Sequence, residues 1–546
     1  MSEFFKKYQF WFRCWGIVFG ALLLVYSFYI FTFTIGNHDW RFIRYGMPLK
    51  AGFWEARFTQ FVPSFLLTLG QMIPVLNAFL AFLFLSGGVV LSAKWFGVDE
   101  RYRIVLTFSF LVVLNPYVIT QLYYVHQLVS VFCWQLFSVS GVVCAWYFIA
   151  HKKWRYLCGC LFFLVTALCG YGSCAEFILT LICAKFLIDI AITKKLTKNF
   201  YRFYVLFIGV VLFAFACYAG IVYCFFKKDL ISDRMYNLQT LSLFEVLNKI
   251  KDNPWESFYA IFNSVPYQAA YVGYFYIFTI IAVLYLVWKD YKKRFLLFVL
   301  SGYALMLSMY AVAYISPRTV FDMMRIHIYS FPYLAGILFV LILVLCTKKN
   351  FLISNVLWVA VLPIIGNYIY TDVMVQKVWV LGNTQDERLY ERVRSRLLPA
   401  LKPQQHYRLS VVGDVFGKEK FSNQPLLSDA DRERLREFYG YPLYLKVFFS
   451  TSFLAYEDFN PIWGDAMFLG GKIGYVINSE GVEEQDKVQA YLFSRHGGLD
   501  KKEQLHGLTY LRPFPANPFY FVGEKDIFLM LSRDNEAREI LRQKIY

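Results

Sequence analysis

In the stretch GNHDW, Gly36 to Trp40, a histidine and an aspartate stand side by side, His38 and Asp39, with two guanidiniums following at Arg41 and Arg44. A positioned carboxylate takes a proton from a hydroxyl, an imidazole orients it, and guanidiniums hold phosphate through paired hydrogen bonds. The same segment goes on to Glu55, a substitute base, and to Arg57. A later segment, SPRTVFDMMRIH (Ser316 to His327), repeats the mixture with Arg318, Asp322, Arg325 and His327. Together these types offer a general base for a hydroxyl with cationic side chains nearby in sequence. Each also has a structural alternative: Asp39 pairing with Arg41 or Arg44 at a helix end, Arg318 and Arg325 pairing with Asp322, and His327 as a satisfied polar side chain.

The elements that must position these groups are apolar. Of 546 residues 58% are hydrophobic, 20% aromatic and only 17% charged, with a mean hydropathy of +0.45, which excludes an ordinary soluble domain. Runs long enough to cross a bilayer give eleven expected spans: 11–34, 72–95, 104–122, 128–150, 156–172, 176–193, 203–226, 270–288, 295–315, 329–347 and 351–370. The first is too long for a signal-peptide core and lacks a small-residue cleavage site after it. Between the runs stand basic clusters, among them Lys6/Lys7/Arg13, Lys152/Lys153/Arg155 and Lys292/Lys293/Arg294, and with this count of spans all fall on one side. The expected topology is an inner (cell) membrane protein of a bacterium with a cytoplasmic N-terminus and a periplasmic C-terminal domain. From Thr371 to Tyr546 acids and bases balance at 24 each, so the first 370 residues hold the whole net charge of +17. The excess belongs to the membrane part, and it calls for membrane lipid rather than nucleic acid as the partner.

Domain organisation follows: 1–370 as a transmembrane domain with periplasmic loops 35–71 and 227–269, and 371–546 as a soluble α/β domain. In the first loop FWEARFTQFVPSFLLTLG has apolar residues every three to four positions, the pattern of a helix lying at the membrane surface. The tail predicts helices over 384–398, 428–440, 483–495 and the last residues, and strands over 407–415, 473–478 and 518–523. All eleven cysteines lie in or beside apolar runs, which leaves the tail without disulfides. There is no Walker GxxxxGK[ST], HExxH or GxSxG. Asp189, four residues after Lys185 near the inner face, is the one acid expected well inside a span, which weakens a proton-coupled transporter reading. Glu176, in YGSCAEF, is expected to favour the helix N-terminus that it opens.

A cytoplasmic N-terminus, an acidic residue just after the first span at Asp39, an amphipathic segment, about ten more spans and an extracytoplasmic tail resemble the GT-C superfamily of membrane glycosyltransferases. The chain is most similar to the GtrII-type glucosyltransferases, whose first loop carries an Asp-Asp pair; here His38 takes the place of the first aspartate. EARFTQF (Glu55 to Phe61) stands where that family has a Gly-Arg-Pro-type segment, and SPRTV (Ser316 to Val320) puts an arginine before a late inward span. The resemblance covers roughly residues 1–370. It implies a sugar passing from a polyprenyl-phosphate donor to a hydroxyl of a glycan or glycolipid acceptor, of O-antigen or lipopolysaccharide type, usually with inversion. Under it Asp39 is the base with His38 and Glu55 as helpers, and Arg318, Arg325, Arg57, Arg41, Arg44 and His327 receive the donor phosphate. It leaves a divalent metal, Mg or Mn, open. The rival classes are a flippase of lipid-linked sugars and a non-catalytic protein of polysaccharide assembly.

Overall fold

A computed structural model describes residues 2–32, 47, 49, 57–71, 73–122, 124–193, 195–226, 242–253, 270–290, 292–315, 327, 329–347, 351–397, 408–412, 520–522 and 526–530. The chain divides into two compact units, Met1–Phe33 with Arg41–Lys377 and Thr34–Trp40 with Val378–Tyr546.

The first unit is helical. Its elements are α1 (Ser2–Val25), α2 (Ser27–Phe31), α3 (Val62–Thr68), α4 (Pro74–Phe96), α5 (Tyr102–Val113), α6 (Ile119–Leu122), α7 (Val125–His151), α8 (Trp154–Gly170), α9 (Ser173–Ile192) and α10 (Lys198–Phe226). They continue with α11 (Leu243–Asp252), α12 (Ala270–Asp290), a short 3₁₀ turn (Lys292–Arg294), α13 (Phe295–Ser308), α14 (Ala311–Ile315), α15 (Ser330–Thr347) and α16 (Phe351–Leu397), of which the part up to Lys377 belongs to this unit. Local chemistry sets several ends: Pro74 opens α4 where its missing N–H is no loss, and Gly97, at φ +77°, closes it in the left-handed conformation.

Six of these helices, within 6–25, 74–96, 125–151, 198–225, 271–290 and 357–377, are long and apolar enough to cross a membrane, and α5, α8 and α15 are shorter apolar helices. Each of the eleven apolar runs coincides with a helix or a broken pair of helices. The broken pairs are α1 with α2, interrupted at Tyr26, α5 with α6, interrupted at Leu114–Val118, and α13 with α14, interrupted at Met309 and Tyr310. The helix α9 falls outside the six because it holds Glu176, Lys185 and Asp189. The exposed faces are apolar: Tyr274, Phe278, Ile281 and Tyr285 form one exposed stripe along α12, and α10 exposes Val205, Leu206, Leu212 and Phe213. Buried positions, by contrast, include many polar groups. Apolar outside and polar inside is the pattern of a helical membrane protein.

The core centres on α7, which packs on α4, α8, α9 and α10, and on α15, which packs on α5, α9 and α12. The bundle has two chemically different ends. At one end Trp11 Nε1 donates to Glu100 Oε1 (3.1 Å), the Lys94 ammonium lies 3.8 Å from the Tyr8 ring centre, and Lys185 pairs with Asp189 (2.7 Å), which also accepts from the Tyr204 hydroxyl (2.6 Å). Arg294 donates there to the carbonyls of Ile190 and Thr193 at the end of α9. This is the basic end. The opposite end is built from buried tyrosines, and we call it the tyrosine end.

The second unit contains a three-stranded sheet of order β1-β3-β2: β1 (Arg408–Val412) runs parallel to β3 (Asp526–Met530), and β2 (Tyr520–Val522) antiparallel to it. Two strands fall where the sequence pattern puts them, and β3 is an addition. The predicted strand 473–478 and the helices 428–440, 483–495 and beyond lie outside the described residues. The predicted helix 384–398 is the continuation of α16.

Candidate functional site

The tyrosine end is where two sequence-predicted site residues, Arg57 and His327, are found. Arg57 is fixed by the turn that follows it. Gln60 N–H donates to the Arg57 carbonyl (3.1 Å), and Thr59 is tied to the end of α8 through its N–H to Cys169 O (3.1 Å) and its hydroxyl to Thr166 O (2.7 Å). The Arg57 guanidinium then lies 5.4 Å from the centre of the Tyr171 ring. A cation on a ring face gains about 0.5–2 kcal/mol, depending on desolvation, without using up its in-plane N–H donors. Tyr171 in turn meets Tyr329 edge-on at 5.9 Å, and Tyr329 packs on Phe177 (5.6 Å) while its hydroxyl donates to Val131 O (2.6 Å). The helix α3 continues from the Arg57 turn, with Ser64 bonded to Ser130 (3.0 Å) on its buried side and Phe65, Leu66 and Leu67 exposed on the other. That face is what a helix at a membrane surface presents.

His327 is fully buried. Its Nδ1 lies 3.0 Å and 3.2 Å from the two carboxylate oxygens of Glu176, also fully buried, and its ring is 4.3 Å from the Tyr310 ring. Glu176 lies in the first turn of α9 as its sequence context suggests, yet its carboxylate does not cap that helix: it reaches across to His327 and accepts the N–H of Val312 (3.3 Å) in α14.

A second buried carboxylate lies at the same end. Asp372, in α16, has no exposed surface and accepts the Tyr26 hydroxyl at 2.8 Å. One turn on, Gln376 Oε1 takes the N–H of Tyr29 (3.2 Å) and its amide donates to Val25 O (3.0 Å). Tyr276 and Tyr368 share a hydroxyl contact of 2.6 Å. The sequence expectation that Asp189 is the one acid well inside a span is therefore corrected: Glu176 and Asp372 are the buried acids of this end. Hydropathy falls off at residue 370, which hides Asp372 in what reads as the tail, whereas α16 runs on and keeps Asn367, Thr371, Asp372 and Gln376 buried along one face. That four-to-five-residue polar spacing was the available signal.

Of the other predicted residues, His38, Asp39, Arg41, Arg44, Glu55, Arg318 and Arg325 lie outside the described residues. Among the described residues no three His, Cys, Asp or Glu side chains converge to hold a metal, and all eleven cysteines are free, Cys158 exposed and Cys160 buried. No protein-family model matches the chain, and no curated protein is significantly similar to it.

Proposed function

We propose that this protein is a GT-C-type membrane glycosyltransferase that moves a sugar from a polyprenyl-phosphate donor to a hydroxyl of a surface glycan or glycolipid. The reading includes eleven membrane spans, a bacterial inner membrane with the tyrosine end facing the periplasm, and a periplasmic α/β domain after residue 370. In the reaction the acceptor hydroxyl attacks the anomeric carbon, its proton passes to Asp39, and the bond to the lipid phosphate breaks on the opposite face. The negative charge left on the phosphate is received by guanidiniums, Arg57 with Arg318, Arg325, Arg41 and Arg44.

The observation that supports this best is Arg57: a guanidinium held over Tyr171 at the end of the bundle away from the basic clusters, beside a helix with an exposed apolar face. On the proposed orientation it is a positive charge on the side that the charge asymmetry of membrane proteins usually leaves poor in cations, which suits an anionic lipid phosphate. In sequence, His38 and Asp39 follow α2 by seven and eight residues. Transfer from a synthetic polyprenyl-phosphate sugar by purified protein tests the proposal.

A second reading, a flippase of lipid-linked sugars, draws on the buried carboxylates Glu176 and Asp372, since ionisable groups inside a bundle commonly line a transport path. Protein in liposomes that moves a fluorescent lipid-linked sugar between leaflets, with no transfer product, would favour it.

A further inference from the structure

We propose that α11 lies in the membrane surface at the tyrosine end, with Phe244 and Leu247 inserted among lipid acyl chains, and that with α3 it forms a pair of short lipid-contacting helices there. The inference rests on the membrane character of the bundle and not on the transfer reaction.

α11 has 10 residues and α3 has 7, so at about 1.5 Å of rise per residue they extend roughly 15 and 10 Å, against about 30 Å for the hydrocarbon core of a bilayer. Neither can cross it. With about 100° between successive residues, α11 divides into three sectors rather than the usual two. Val246, Lys249 and Ile250 form the half-buried sector. It is fastened to α14: Lys249 Nζ donates to Ala313 O (2.6 Å), and the Tyr314 hydroxyl donates to Asn253 O, just past the end of α11 (2.9 Å). The α14 turn is fixed in its turn to the start of α9, where Val312 N–H donates to Glu176 Oε2 (3.3 Å), so α11 belongs to the tyrosine end. The second sector, Glu245, Asn248 and Asp252, is exposed and polar. The third is exposed and apolar: Phe244 is 73% and Leu247 55% exposed. Lys251 shares it, with a stem long enough to carry its ammonium up to the headgroups. A helix between a bundle and water needs only two sectors, and the third suits a helix whose remaining side meets lipid.

α3 repeats the arrangement, bonded to the bundle through Ser64 and Ser130 and exposing Phe65, Leu66 and Leu67. It carries no charge, and on α11 Glu245 and Asp252 balance Lys249 and Lys251. Neither helix therefore offers an excess charge to select an anionic headgroup, and the attraction is apolar burial. A protein partner is poorly matched, because Phe244 and Leu247 offer far less than the roughly 800 Å² per side of a stable protein–protein contact.

The test is photo-crosslinking of the full-length protein in nanodiscs of phosphatidylcholine with an alkyne tag on its acyl chain. A benzophenone amino acid replaces Phe244, Leu247 or Leu66 in turn, and Asn248 or Asp252 as controls from the polar sector; all five are exposed, so each variant should fold. Lipid adducts at Phe244, Leu247 and Leu66 should exceed those at Asn248 and Asp252 at least fivefold. Replacing about a third of the lipid by anionic phosphatidylglycerol should change them less than twofold. A smaller ratio between the two sectors of α11, or adducts at Phe244 and Leu247 to a second copy of the chain in place of lipid, would overturn the proposal. So would a rise beyond twofold with anionic lipid, which would make headgroup charge the attraction.

Discussion

Gly170 is the last residue of α8, and a methyl group there has nowhere to go. A Cβ on its backbone would sit 2.3 Å from Trp134 Nε1, 2.5 Å from Cε2 and 2.6 Å from Cδ1, where ordinary contact begins at 3.4 Å. The indole would have to retreat by about 1 Å, yet Trp134 is 3% exposed and its ring already meets Phe137 edge-on at 5.3 Å. Overpacking of this kind costs about 1–3 kcal/mol. For a cooperative unit of this size, Gly170→Ala should therefore lower the midpoint of thermal unfolding in detergent by roughly 2–6 °C. The strain also reaches the site, because Cys169 O and Thr166 O at the end of α8 hold Thr59, two residues from Arg57. Two companions sharpen the measurement. Gly172→Ala, at a glycine with nothing within 4 Å of the added carbon, should change stability by less than about 0.5 kcal/mol. Trp134→Phe removes the pyrrole edge that blocks the methyl, so the double variant should recover at least half of the loss, measured against Trp134→Phe alone. If Gly170→Ala unfolds with Gly172→Ala, the close packing of α7 on α8 is not as described.

Arg57→Ala should weaken donor use tenfold or more in KM with acceptor KM unchanged. Arg57→Lys should restore less than half of that, since an ammonium lacks the planar pair of donors; full rescue by lysine would argue against a bidentate phosphate contact. At the start of α11, Ser242 and Glu245 form a capping box: the Ser242 hydroxyl and N–H both bond Glu245, and Glu245 N–H bonds the hydroxyl in return. The Ser242 hydroxyl, and then its backbone N–H, hold the Glu245 carboxyl below its ordinary value of 4.5. The folded value lies below the unfolded one, so the stabilisation is fully present above the ordinary value and is lost as pH falls from there through the lower folded value. Hydrogen-exchange protection of the first α11 amides, corrected for intrinsic rates, should fall across that window. Ser242→Ala should lower protection about threefold to thirtyfold at neutral pH and flatten the pH response.

Much of the bundle was legible because a bilayer demands long apolar helices, and residues 72–95 or 203–226 offer few other solutions. What hydropathy could not show was which side of a helix turns inward. Asp372 illustrates this: its helix continues beyond the apolar window, and only its buried face, shared with Asn367 and Gln376, tells that it belongs to the bundle. Glu176 illustrates a different limit. An acid in a first turn satisfies a local rule, and the partners it actually takes, Val312 and His327, are 136 and 151 residues away in sequence. Local spacing carries no record of such contacts. Arg57 was legible as one of several arginines in a loop expected outside the apolar runs, whereas the Tyr171 ring beneath it was not, because tyrosines are too frequent in this chain for any one to stand out. Asp39 rests on position in the chain alone: it follows the first span closely in sequence.

Asp39 is therefore the residue on which the account is most directly tested. Purified native protein given a synthetic polyprenyl-phosphate sugar and a glycan or glycolipid acceptor should form the glycosylated product, while folded Asp39→Asn protein should turn over about 10² to 10⁴ times more slowly. Undiminished transfer by Asp39→Asn, or no transfer by the native protein across a panel of donor sugars and acceptors, would contradict it.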